Sequence, residues 1–150
     1  MTTSPLSTST VTQIGVIVRD IETTVQAWAA VLGVPAPGII VTDPVERART
    51  EYKGQSTPAR AKLAFFNLGP IVLELIEPMG EPSTWNDQLA AHGPSLHHIA
   101  FEVKGMAECL AALAEHGLPL VQRGEYEGGR YAYVDGSKPF GAIVELLEND

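Results

Sequence analysis

One pattern occurs twice along this chain, and it limits the fold more than any other feature. Thr12-Gln13-Ile14-Gly15-Val16-Ile17-Val18 lies over His97-His98-Ile99-Ala100-Phe101-Glu102-Val103, and both alternate at the period of a strand. Each runs into a helical pattern. Ile21, Val25, Trp28 and Leu32 form one apolar stripe, and Met106, Leu110 and Leu113 form the other. Asp20 is the expected N-cap of the first helix; Gly33 and Gly117 stop the two helices, and Pro35 and Pro119 follow at matching places. Lys62-Leu63-Ala64-Phe65-Phe66-Asn67 then matches Arg130-Tyr131-Ala132-Tyr133-Val134-Asp135. Ile71-Val72-Leu73-Glu74-Leu75-Ile76-Glu77 matches Ala142-Ile143-Val144-Glu145-Leu146-Leu147-Glu148 almost position by position. Residues around 37–52 and 118–123 are expected to supply the remaining strand of each half. The expected fold is α+β: two βαβββ modules, about 11–80 and 95–150, in a pseudo-two-fold arrangement. Their curved mixed sheets would enclose a shared cleft. Between them Ser83 would cap a short helix that packs Trp85 and Leu89 and ends at Gly93-Pro94.

The whole chain narrows the classes of partner. Its 150 residues suit one domain over 11–150, preceded by a Ser/Thr-rich tail, residues 1–10, expected to be disordered. A net charge of -8 argues against nucleic acid and against anionic membrane as general partners. No apolar run approaches the roughly 20 residues needed to cross a bilayer. The single cysteine, Cys109, sits on a helix stripe as a packed residue and has no disulfide partner, so a reducing, cytoplasmic setting is expected. Arg47, Arg49, Lys53, Arg60 and Lys62 crowd one stretch. A solvated loop face is the plain reading of this group; a contact for an anionic ligand is the sharper one.

Two carboxylates carry the chemistry. Glu74 stands mid-strand with Val72 and Ile76 on its own face, and Glu145 stands likewise between Ile143 and Leu147. Burying one carboxylate without a partner is costly, and two at equivalent places of a repeat point to a shared counter-charge. His98 lies on the face opposite Ile99 and Phe101, and Gln13 is its counterpart in the first module. Pseudo-two-fold symmetry would bring Gln13, Glu74, His98 and Glu145 to one point. That oxygen and nitrogen set suits one divalent metal such as zinc, cobalt, nickel or manganese. His97, pointing with the apolar residues, reads as a core histidine, and Tyr131 and Tyr133 as packing aromatics. Gly128-Gly129 reads as a turn. Lys62 and Glu102 are further polar residues that could face the cleft.

The segments Phe66-Asn67-Leu68-Gly69, Leu73-Glu74-Leu75-Ile76-Glu77-Pro78, Leu96 to Val103 and Val144-Glu145-Leu146 resemble the vicinal-oxygen-chelate superfamily. This superfamily includes methylmalonyl-CoA epimerase, lactoylglutathione lyase, extradiol dioxygenases and antibiotic-resistance binding proteins. The resemblance runs from Gln13 to Glu148 and looks closest to methylmalonyl-CoA epimerase-like proteins. It implies metal ligands at Gln13, Glu74, His98 and Glu145, proton transfer by Glu145 and Glu74, and a homodimer. The epimerases usually carry His where this chain has Gln13, and a His-Pro-Lys segment where it has Val134-Asp135-Gly136-Ser137-Lys138-Pro139. A Gln, Glu, His, Glu set is similar to that of eukaryotic lactoylglutathione lyases.

The resemblance implies an isomerase that epimerises a carbon beside a ketone or thioester through an enolate, on a small-molecule substrate such as an acyl-CoA. A glyoxalase-type lyase is the alternative. A protein that only binds a small ligand is the third, opposed by an intact set of four ligands.

Overall fold

The structure, a computed structural model, describes residues 4–150. The first module contributes β1 (Val11–Ile17), α1 (Ile21–Leu32), β2 (Ile40–Val41), α2 (Val45–Ala48), β3 (Glu51–Tyr52), β4 (Gln55–Ser56), β5 (Arg60–Asn67) and β6 (Val72–Met79). A connecting helix, α3 (Thr84–His92), leads to β7 (Ser95–Glu102), α4 (Met106–Glu115), β8 (Leu120–Tyr126), β9 (Gly129–Val134), α5 (Ser137–Phe140) and β10 (Ile143–Asn149). The strands form one curled sheet in the order β2-β5-β6-β1-β7-β10-β9-β8-β3-β4. Its halves meet where β1 pairs antiparallel with β7, Ile14 opposite Ile99. These are equivalent residues of the repeat, so the pseudo-dyad passes between them. On either side β6 runs parallel to β1 and β10 parallel to β7.

Local chemistry follows the repeat closely. Asp20 accepts from the Thr23 N–H at the start of α1, and Gly33 ends the helix in the left-handed region. Ser83 caps α3 through the Asn86 N–H. Glu77, three residues beyond Glu74, accepts from the Ile21 N–H at the α1 terminus. Glu148, three beyond Glu145, accepts from the Gly105 and Met106 N–H groups at the start of α4. A carboxylate at a helix N-terminus meets both its free donors and its dipole. Each helix covers its own half of the sheet's outer face. Val25 and Ile21 pack on Phe66, Leu73 and Leu75, while Cys109 and Leu113 pack on Ala132, Val134 and Leu146.

The sequence expectation needs correction in one place. The second strand of the first module is only Ile40–Val41, and the chain after it leaves that half altogether: β3 and β4 form a hairpin whose β3 pairs with β8 of the second module. On the outer face Ile99 is 39% exposed and borders an apolar groove. Of the tail expected to be disordered, residues 1–3 lie outside the described residues. Of the rest, Leu6 is half-buried against the second module's core. Among the described residues no helix is long and apolar enough to cross a membrane.

Candidate metal centre

The site lies on the concave face, where two rows cross the central strands. In one row Glu74 on β6, Gly15 on β1 and His98 on β7 are neighbours. In the other, Gln13 on β1, Ala100 on β7 and Glu145 on β10 are neighbours. Each row has a small residue at its middle, which leaves room for the longer side chains on both sides to converge. The room is tight at Gly15: a Cβ there would lie 2.1 Å from His98 Cε1.

All four residues expected from the sequence come together. His98 Nε2 is 3.2 Å from Gln13 Oε1, 3.3 Å from Glu145 Oε1 and 3.4 Å from Glu74 Oε1. The ligand atoms of Glu74, His98 and Glu145 all lie within 4.8 Å of one another, and all three residues are buried. Glu74 Oε1 and Glu145 Oε1 have no hydrogen-bond partner. Three oxygens thus face one imidazole nitrogen, which can offer at most one N–H. Two buried carboxylate oxygens with at most one donor between them are costly to hold. A divalent cation would satisfy both oxygens at once, and the donor set of imidazole, amide and carboxylate suits one. The residues therefore fit a metal.

Electrostatics report the same frustration. Burial, reinforced by the charge of Glu145, raises the Glu74 carboxyl to about 8. Burial alone would push His98 down, but the Glu145 and Glu74 carboxylates outweigh it and the imidazole is raised.

Behind His98 runs a hydrogen-bonded chain that sequence reasoning missed. His97 Nδ1 lies 2.9 Å from His98 Nδ1, and His97 Nε2 lies 3.2 Å from Thr84 Oγ1 on α3. A β-bulge makes this possible. Gly15 opposes His98 but Val16 opposes Leu96, so His97 is the extra residue and turns out of the alternation. Burial drives the His97 imidazole well below its ordinary range, which keeps it neutral and able both to donate and to accept. The first module has the matching bulge at Thr12, whose hydroxyl donates instead to the Ala100 carbonyl. Two adjacent histidines in a strand were the available signal, hidden because strict alternation assigns one of them to the core.

Above the centre opens a cleft of about 490 Å³. Leu63 and Phe65 form its wall on the first module, Tyr131 and Tyr133 on the second, with Trp85 of α3 between the modules. The tyrosines do more than pack. Trp85 Nε1 donates to Tyr133 Oη and Gln122 Nε2 donates to Tyr131 Oη. The other sequence candidates lie elsewhere. Lys62 pairs with Glu77, Glu102 accepts from Asn149, and Gly128 lies in the β8–β9 turn with Gly129 opening β9.

Comparison with known proteins agrees with this geometry. The sequence model of the Glyoxalase/Bleomycin resistance protein/Dioxygenase superfamily matches residues 12–134. The chain is 35% identical over 92 residues to the uncharacterized protein YqjC of Bacillus subtilis, a match spanning 59% of this chain and 66% of that one. The hypothetical protein BH1468 of Bacillus halodurans superposes with a TM-score of 0.65 at 20% identity, covering 93% of this chain and 94% of that one. A methylmalonyl-CoA epimerase variant of Streptomyces coelicolor, solved with 2-nitronate-propionyl-CoA, superposes with a TM-score of 0.63 at 21% identity. It covers 94% of this chain and 97% of that one.

Proposed function

Since the chain belongs to the glyoxalase/bleomycin resistance protein/dioxygenase superfamily, we propose that it is a metal-dependent isomerase that epimerises a carbon beside a ketone or thioester through an enolate. The observation that carries this reading is the pair of buried, unpartnered carboxylate oxygens of Glu74 and Glu145, facing His98 and Gln13 at the floor of the cleft. Gln13, Glu74, His98 and Glu145 would hold one zinc, cobalt, nickel or manganese ion. When bound, such an ion supplies a Lewis acid that polarises a carbonyl and offsets the negative charge of an enolate.

The chain's own groups do the rest. Epimerisation removes a proton from one face of a carbon and returns one to the other, so it needs two proton-transfer groups on opposite sides. Glu74 comes from β6 of the first module and Glu145 from β10 of the second, on the two sides of the pseudo-dyad. Glu74 and Glu145 would take and return the proton, one from each side. Leu63, Phe65 and Leu147 line the cleft and reduce the water around the reacting carbon. A cytoplasmic homodimer is part of this reading.

A second reading, a glyoxalase-type lyase, is favoured by the amide oxygen of Gln13 at the first position of the donor set. The test is solvent-deuterium uptake at the α-carbon of 2-substituted acyl thioesters, methylmalonyl-CoA among them, and of α-chiral ketones. Protein reconstituted with cobalt should exchange that hydrogen without added thiol. Activity confined to the hemithioacetal of methylglyoxal and glutathione would favour the lyase, and tight ligand binding with neither reaction would favour a binding protein.

A further inference from the structure

Resting on the isomerase reading, the cleft's chemistry narrows the substrate. Among the described residues, no lysine or arginine lines it. Apart from Glu74 and Glu145 at its floor, its charged lining side chains are Asp43, Glu125 and Glu127, with Arg47 3.9 Å from Asp43, and its walls are apolar and open to solvent: Ile40 is 54% exposed, Val41 43% and Phe65 38%. Apolar side chains left this open around a pocket mark a surface meant to be covered.

The basic group from Arg47 to Lys62 does not supply what the cleft lacks. Arg47 approaches Asp43, Arg60 donates to the Thr42 carbonyl and Lys62 pairs with Glu77. Lys53 lies over the ring of Tyr52, and Arg49 is the left-handed residue that ends α2. Strand alternation explains part of this. On β5, Leu63 and Phe65 face the cleft, so Lys62 faces α1 beside Glu77. None of the five lines the cleft itself, although Arg47 and Arg60 touch Asp43 and Thr42, which do.

A phosphate or carboxylate tail is recognised by guanidinium or ammonium groups, by the N-terminus of a helix or by a nest of N–H groups. At this mouth it would meet carboxylates instead, on a chain of net charge -8. The centre offers no relief, because the charges of Glu74 and Glu145 balance a bound divalent ion. We infer that the substrate is an apolar carbonyl compound carrying no negative charge, held by Ile40, Val41, Leu63 and Phe65, and not an acyl-CoA.

One acyl group on two carriers tests this directly. The 2-phenylpropionyl thioester of N-acetylcysteamine is uncharged, and that of coenzyme A is polyanionic. With cobalt-reconstituted protein, deuterium uptake should give the neutral thioester a kcat/KM at least equal to that of the coenzyme A ester. Raising the ionic strength from about 0.02 M to about 0.5 M should lower KM for the coenzyme A ester alone, by screening repulsion. A preference of about 100-fold for the coenzyme A ester, roughly 2.7 kcal/mol, would overturn the inference. If neither thioester exchanges, the isomerase reading has failed, and calorimetry with coenzyme A still decides the substrate class. No binding up to about 1 mM supports the inference, and a Kd below about 100 µM overturns it.

Discussion

The two halves of this protein share a backbone and divide the labour of one site unequally. At equivalent positions the first module has Gln13, Leu63 and Phe65, where the second has His98, Tyr131 and Tyr133. In the second module His98 and Tyr133 are buried and Tyr131 half-buried, and hydrogen bonds tie Tyr133 to Trp85, Tyr131 to Gln122 and His98 through His97 to Thr84. In the first, Phe65 is partly exposed and the bulge residue Thr12 satisfies itself on backbone. A duplicated fold can thus hold two matched carboxylates in place with one braced half and leave the other half free to shape the ligand's wall.

Removing either carboxylate should have the largest effect, because the two are symmetric in this comparison. Glu74→Ala and Glu145→Ala should each weaken cobalt or zinc binding by more than about 100-fold, measured by calorimetry and elemental analysis, while circular dichroism stays native. Metal retained at about one ion per chain in both variants would remove the basis of the proposed centre. The small residues of the two rows should then behave unequally. Gly15→Ala pushes a methyl into the His98 ring and should cost about 1–3 kcal/mol of stability as well as metal affinity. Ala100→Gly, its counterpart, should leave metal affinity within a few-fold. Equal affinity losses in the two would mean that the imidazole is not held as described.

The bracing itself is tested by His97→Phe, which removes the hydrogen bond to His98 Nδ1 and should lower metal affinity by about 10–100-fold. His97→Asn can still reach that nitrogen and should recover most of it. Thr12→Val, at the matching bulge of the first module, should change metal affinity little.

Acidity offers a milder probe. In the metal-free protein Glu74 keeps its proton up to about 8, whereas the unfolded chain releases it near the ordinary 4.5. The native state therefore binds more protons between those values, and its stability should fall as pH rises through that window. Thermal melts of metal-free protein should show a lower Tm at pH 8 than at pH 5 from this group, and Glu74→Gln should flatten the difference. Metal affinity should climb over the same window, because the ion displaces the proton. The smallest effect belongs to the N-terminal segment. Deleting residues 1–10 strips the half-buried Leu6 from the second module's core, and should lower Tm by only a few degrees.

How much of this could be read beforehand depended on whether the repeat carried it. Glu74 and Glu145 were legible because a carboxylate inside an apolar strand is anomalous once and diagnostic twice. Gln13 followed from its register with His98, and Asp20, Gly33 and Ser83 from capping chemistry. The burial of His97 was legible and holds; its hydrogen bond to His98 was not, since a bulge turns the residue out of the period-two alternation. Gly15 was not, because its role is a distance to a ring on another strand. Leu63 and Tyr131 look interchangeable in an alternating pattern, and only the cleft around them tells a wall from a brace. The basic stretch left two readings open, because linear crowding says nothing about which way each side chain leaves its strand.

The hairpin of β3 and β4 has a consequence for the halves as separate objects. Covalently it belongs to the first module, yet β3 hydrogen-bonds to β8, at the edge of the second. A fragment of residues 95–150 made alone would present β8 as a bare edge, open to pairing with any passing strand. An ancestral single-module chain would have faced the same exposure, and a twin copy lending its hairpin in exchange would have been one way to close it. The link between the halves then does more than join them: it makes permanent, within one molecule, a loan that two molecules could only hold by staying together.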